Sequence, residues 1–79
     1  MPSMVASRPQ VHYDQEADVL YISLGKPVPS ISKEDPEIEG LHYRYAIGTK
    51  NLSGATIVWY SLQDKDELRR RLPFPVRLP

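Results

Sequence analysis

A chain of 79 residues with ten Lys and Arg against ten Asp and Glu carries no formal net charge, so no bulk attraction draws it to nucleic acid or to a membrane surface. It has no Cys and only two His, His12 and His42, which excludes disulfides, thiolate zinc sites and an all-imidazole zinc site with three protein ligands. One domain of this length hides only about 60–65% of its unfolded surface. With the other standard supports excluded, self-association into a homodimer is the expected source of further burial.

The absence of Cys suits a reducing cytosol. No apolar run approaches the roughly 20 residues of a membrane span. Met1 to Arg8 lacks the basic-then-apolar order of a secretion signal. A cytoplasmic protein without membrane attachment is the expectation.

Residues 1–9 are small, polar and Pro-flanked, and read as a disordered N-terminal tail. Gln10 to Tyr13 predicts a short strand with Val11 and Tyr13 on one face. Asp14 to Ala17 predicts a turn, because Asp bonds its own backbone at turn starts. Asp18 to Leu24 predicts a second strand, with Leu20, Ile22 and Leu24 opposite Val19, Tyr21 and Ser23. Lys26 to Gly40 reads as a loop with Pro27, Pro29 and Pro36; residues 28–33 are compatible with an edge strand, where Pro and charge are tolerated.

Leu41 to Ile47 alternates, with Leu41, Tyr43, Tyr45 and Ile47 set against His42, Arg44 and Ala46. That predicts a strand with one wet face. Gly48 to Gly54 predicts a hairpin loop. Ala55 to Leu62 is the most apolar segment, with Ile57 and Trp59 on one face and Val58, Tyr60 and Leu62 on the other, so both faces ask for cover. Asp64 predicts a helix cap with an acid at the third position. The helix should run from Lys65 to about Arg71 and stop before Pro73.

Together these elements predict an α+β domain over residues 10–72. It has an antiparallel sheet of about four strands in two hairpins and one short C-terminal helix, followed by an extended Pro-rich tail over 73–79. Tyr43, Tyr45 and Trp59 read as core, Tyr60 as exposed or covered by a subunit, and His12 and His42 as solvent-facing.

The run Tyr13-Asp14-Gln15-Glu16-Ala17-Asp18-Val19-Leu20-Tyr21-Ile22 resembles the opening of the short prokaryotic proteins catalogued as domain of unknown function 2283, with the signature Tyr-Asp-x-x-Ala-Asp-x-Leu-Tyr-Ile. The resemblance covers roughly residues 10–64. It departs at the second hairpin, where Gly48 to Gly54 stands in place of an acidic turn. It implies a small antiparallel sheet with one helix and no established activity. Some members of that family are similar to the antidote halves of small toxin–antitoxin pairs.

Asp14, Glu16 and Asp18 have the spacing that opens a calcium loop, but Val19 and Gly25 stand where the loop needs Gly and an acid. The plainer reading is a capped polar turn, and neither a metal nor another cofactor is expected. A turn in water also offers these carboxylates little of the desolvation that acid–base chemistry needs. A Ser23, His42 and Asp18 set can be written down, but only geometry would give it meaning. Arg69, Arg70 and Arg71 could contact a phosphate or an acidic partner. They equally suit the last turn of a helix, whose carbonyl end favours cations.

The charge is segregated, with acids at 14, 16, 18, 34, 35, 37 and 39 and arginines at 69, 70, 71 and 77. With the doubly apolar segment at Trp59, this favours a small protein-interaction module, antitoxin-like and acting as a homodimer, over an enzyme. Its expected contact residues are Val58, Tyr60, Leu62, Arg69, Arg70 and Arg71, and its expected partner is a small protein rather than nucleic acid. The alternative is a divalent-metal or small-ligand-binding domain that uses the acidic turn 14–18.

Overall fold

The computed structural model describes residues 9–79; the tail expected over 1–9 lies almost wholly outside them. Five antiparallel strands form one sheet: β1 (Gln10–Asp14), β2 (Val19–Ser23), β3 (Ser30–Glu34), β4 (Leu41–Ala46) and β5 (Leu52–Val58). Their spatial order is β1-β2-β5-β4-β3. The expectation of about four strands is therefore corrected to five. Ser30–Glu34 is a full strand paired along its length with β4, from Ser30 opposite Ala46 to Glu34 opposite His42. The sequence marks residues 28–33 as compatible with an edge strand inside a loop; the strand forms over Ser30–Glu34, and its polar composition and flanking prolines suit that edge position.

The β1–β2 hairpin closes where the sequence predicts. Asp14 Oδ1 accepts hydrogen bonds from the amides of Glu16 and Ala17, which fixes the start of the turn. Register then places Tyr13 opposite Leu20 and Val11 opposite Ile22. Leu20 and Ile22 continue onto Ile57 and Ala55 of β5. Leu41 lies beyond Ile57 on β4. Those residues make one apolar face.

A single helix, α1 (Lys65–Arg71), lies over that face. Asp64 caps it by accepting from the amides of Asp66 and Glu67. Leu72, the residue before Pro73, has extended geometry and ends it. Leu68 and Leu72, one turn apart, enter the core with Ile38 and Tyr60. Phe74, Val76 and Leu78 of the C-terminal segment pack against the same cluster. Helix and tail thus cover one face together, and neither covers the other.

The helix is held by a buried carboxylate. Asp35 is 5% exposed. Its oxygens accept from the Tyr43 hydroxyl at 2.7 Å, from the Glu37 and Ile38 amides at 2.8 and 3.0 Å, and from the Arg71 guanidinium at 2.8 and 2.9 Å. Burial pushes this carboxyl up, but the bonds from Tyr43, the two amides and Arg71 outweigh it and hold Asp35 well below the usual carboxylate range. Burial first, and the bond to Asp35 second, push the Tyr43 phenol up to about 12.

Two outcomes are expected. Asp35→Ala leaves the Tyr43 hydroxyl and two amides without their acceptor and should cost about 3 kcal/mol in urea unfolding. Because Asp35 titrates lower in the fold than in the unfolded chain, its contribution is intact above about pH 5 and is lost as pH falls through the folded titration. An Asp35→Asn variant should show a flatter acid limb in a plot of stability against pH. Deleting residues 73–79 uncovers Tyr60 and the Val11 edge of the core, and should lower the melting temperature on the order of 10 °C.

Candidate functional site

The residue that shapes the surface of this domain is Asp18, the last acid of the first turn. It takes a positive φ of 57°. Its carboxylate accepts from the Tyr13 hydroxyl, from the Ser61 hydroxyl at 2.7 Å and from the Ser61 amide at 3.0 Å, and its carbonyl accepts from the Tyr60 amide at 3.0 Å. The bond from Tyr13 first, then those from Ser61, hold the Asp18 carboxyl below its ordinary value.

These bonds pull the chain out of β5 after Val58. Trp59 turns into the left-handed region with φ 55° and ψ 43°, and a short 3-10 turn, Tyr60–Leu62, follows. A bulky residue rarely takes such angles, and doing so costs on the order of 1–2 kcal/mol.

The reversal exchanges the faces that alternation predicts. Tyr60, expected at the surface, is 3% exposed and packs edge-on against Tyr13 at 5.3 Å between ring centres. Its hydroxyl donates to the Pro79 carbonyl at 2.6 Å. Trp59, expected in the core, is 48% exposed, and Leu62 is 82% exposed. Trp59 and Leu62 line a shallow hollow with Glu37, Ile38, Glu39, Gln63 and Glu67. Three carboxylates therefore rim an apolar floor.

The hollow's walls are fixed from several elements. Gly40 has φ 91°, and a Cβ there would lie 2.9 Å from the Val58 carbonyl and 3.2 Å from the Trp59 ring, so only glycine lets the indole settle at this point. The Gln63 side-chain amide donates to the carbonyls of Glu39 and Val58. That ties the 3-10 turn to the loop carrying Glu37 and Glu39.

The other residues singled out in the sequence have separate fates. Val58 is half-buried on the opposite sheet face, across from Val19. Arg71 is engaged by Asp35 and lies 3.6 Å from Glu37. Arg69 pairs with Asp66 at 2.7 Å on the helix surface, and Arg70 is exposed. Only Leu62 of the expected contact residues lies in the hollow. Asp14 and Asp18 spend their carboxylates on the turn and on Ser61. Among the described residues no group of three or more His, Asp or Glu is placed to hold a metal ion, and no helix is long and apolar enough to cross a membrane.

The open face of the sheet is mostly polar. Register sets His12, Tyr21, Thr56, His42 and Glu34 side by side across it. Arg44 lies over Gly54 and donates to the Ile22 and Ala55 carbonyls. A Ser23, His42 and Asp18 triad is not assembled, since Asp18 is bound to Tyr13 and Ser61.

Backbone strain at Trp59 has a measurable signature. Trp59→Gly should be more stable than Trp59→Ala by about 1 kcal/mol, because glycine adopts the left-handed conformation without penalty. Equal stabilities in denaturant titration would mean that the turn relaxes when the indole is removed.

No family model, no curated protein and no solved structure matches this chain.

Proposed function

We propose that this domain is a cytoplasmic protein-binding module that captures a basic partner through Trp59 and Leu62. The observation that carries this reading is the strained, half-exposed Trp59. Strain of this kind persists only where the surrounding structure enforces it, and it concentrates at functional sites. Here Asp18, Ser61 and Gly40 enforce it from three elements.

The chemistry of the hollow specifies the occupant. Trp and Leu supply an apolar anchor site, and tryptophan is among the residues that dominate interface energies. Glu37, Glu39 and Glu67 around it favour a segment that brings Lys or Arg to the rim and an aliphatic or aromatic side chain to the floor. Rim charges speed encounter and select the sign of the partner more than they add affinity. Tyr60 and Arg71 are committed inside the domain, so the contact surface moves to the face bearing Glu37 and Glu67.

An antitoxin-like role, in which the domain sequesters a small basic protein, is the biological form this reading takes. The resemblance of residues 13–22 to domain of unknown function 2283 supports it. The acidic turn 14–18 has no comparable support, because Asp14 bonds the turn amides and Asp18 bonds Tyr13 and Ser61.

The chain has one tryptophan, so its own fluorescence reports on the site. A basic protein that co-purifies with the full chain from its source cell should shift Trp59 emission to the blue on titration. Trp59→Ala should weaken that binding by roughly thirtyfold or more, and raising salt should slow association. Binding unchanged by Trp59→Ala, or an acidic partner, would refute the assignment.

A further inference from the structure

We infer that the outer edge of β3 is a self-pairing surface, through which two copies of the chain join their sheets across a twofold axis centred on Ser32. This inference is independent of the Trp59 hollow and rests on different residues.

The ladder itself shows which groups are free. The Asp35 amide donates to the Leu41 carbonyl, and the Ile47 amide donates to the Pro29 carbonyl. The register from Ser30 opposite Ala46 to Glu34 opposite His42 joins these two points without a break. Odd-numbered residues of β3 therefore direct their backbone groups inward to β4, and alternation directs those of Ser30, Ser32 and Glu34 outward. β3 ends the sheet order, so among the described strands none takes up this row. Unpaired edges are templates for pairing with another chain.

The side chains choose the register. An antiparallel pairing centred on Ser32 sets Ser32 opposite Ser32 of the second copy and Ser30 opposite Glu34. It makes about six new backbone hydrogen bonds. All five residues of β3 are used. On the core side Ile31, which is 52% exposed, meets the aliphatic stem of Lys33 from the second copy.

Sliding two residues one way sets Lys33 against its own copy, and like charges directly opposite each other are destabilising. Sliding two residues the other way sets Glu34 against Val28, which lies outside the strand. In the register centred on Ser32 it is Pro36 that would face Val28, and with no amide to donate it stops the ladder there. The pairing is closed and finite, because each copy spends its β3 edge in making it.

The surface is small, so the association is expected to be reversible and concentration-dependent. Analytical ultracentrifugation of the full chain up to millimolar concentration should show a monomer–dimer equilibrium. Ser32→Pro removes one outward amide and leaves the inward ladder intact, as proline is tolerated on an edge strand. It should weaken dimerisation roughly tenfold or more while its melting temperature stays close to that of the parent.

The chain has no native cysteine, so Ser32→Cys reports the register directly. Its two copies should lie about 5.5 Å apart and form a disulfide on mild oxidation. Ser30→Cys should not, because its copies would lie about 13 Å apart along the strands. A chain that stays monomeric at millimolar concentration would overturn the inference. So would a dimer indifferent to Ser32→Pro, or Ser30→Cys cross-linking as fast as Ser32→Cys. Trp59→Ala should leave dimerisation unchanged, which separates the failure of this inference from failure of the partner-binding reading.

Discussion

The arrangement of this domain depends on one buried carboxylate. Asp35 sits just past the end of β3, and its oxygens collect hydrogen bonds from Tyr43 on β4, from the loop amides of Glu37 and Ile38, and from Arg71 at the end of the helix. Taking such a group out of water is costly, and an ion pair alone often fails to recover that cost. Here the recovery is spread over several donors of three kinds, which is why the carboxyl stays ionised despite its burial. The bonds also span 36 positions of sequence between Asp35 and Arg71. They fix the helix over the sheet and, through Glu37 and Ile38, the loop that becomes one wall of the Trp59 hollow.

Much of the fold was legible because it is local. The first hairpin follows from Asp14 and the alternation on either side of it, and Asp14 does bond the amides two and three residues on. The helix follows from Asp64, the acids after it and Pro73. Alternation from Leu41 onward also placed β4 within a residue. What escaped was set by contacts distant in sequence. β3, which the sequence marks only as compatible with an edge strand, becomes a full fifth strand through its pairing with β4 rather than by its own propensity. The arginines at 69–71 read as a basic cluster, yet Arg71 is spoken for by an aspartate half the chain away.

The exchange of Trp59 and Tyr60 is the instructive failure. Period-two alternation from Ile57 assigns Trp59 to the core and Tyr60 to the surface, and it stays valid only while the chain remains a strand. Asp18, on the other side of the sequence, captures Ser61 and the Tyr60 amide and ends the strand at Val58. A single left-handed residue then turns Trp59 outward and Tyr60 inward, while Leu62 stays exposed. No local signal marks this, since tryptophan is a poor candidate for a positive φ. The acid turn that resembled a metal loop is therefore a structural peg, and its consequence appears forty residues later as an exposed indole.

That reversal also changes where a partner can be sought. With β5 apolar on both sides through Leu62, the uncovered sheet face would have demanded a second layer. Instead the tail and helix share one face, and the other is finished with polar groups, His12, Thr56 and His42 among them. Arg44 folds flat across Gly54, its charged end resting on the Ile22 and Ala55 carbonyls. An arginine stem lying along a sheet covers apolar surface while keeping its head hydrated or bonded. Gly54 is what makes room for it, since a Cβ there would collide with both the Ile22 carbonyl and the guanidinium. A face finished in this way does not need to be hidden. The unmet demands of the molecule lie at its margins, in the apolar floor beside Trp59 and in the open backbone of β3, where the rim acids and the ladder register decide what can be joined.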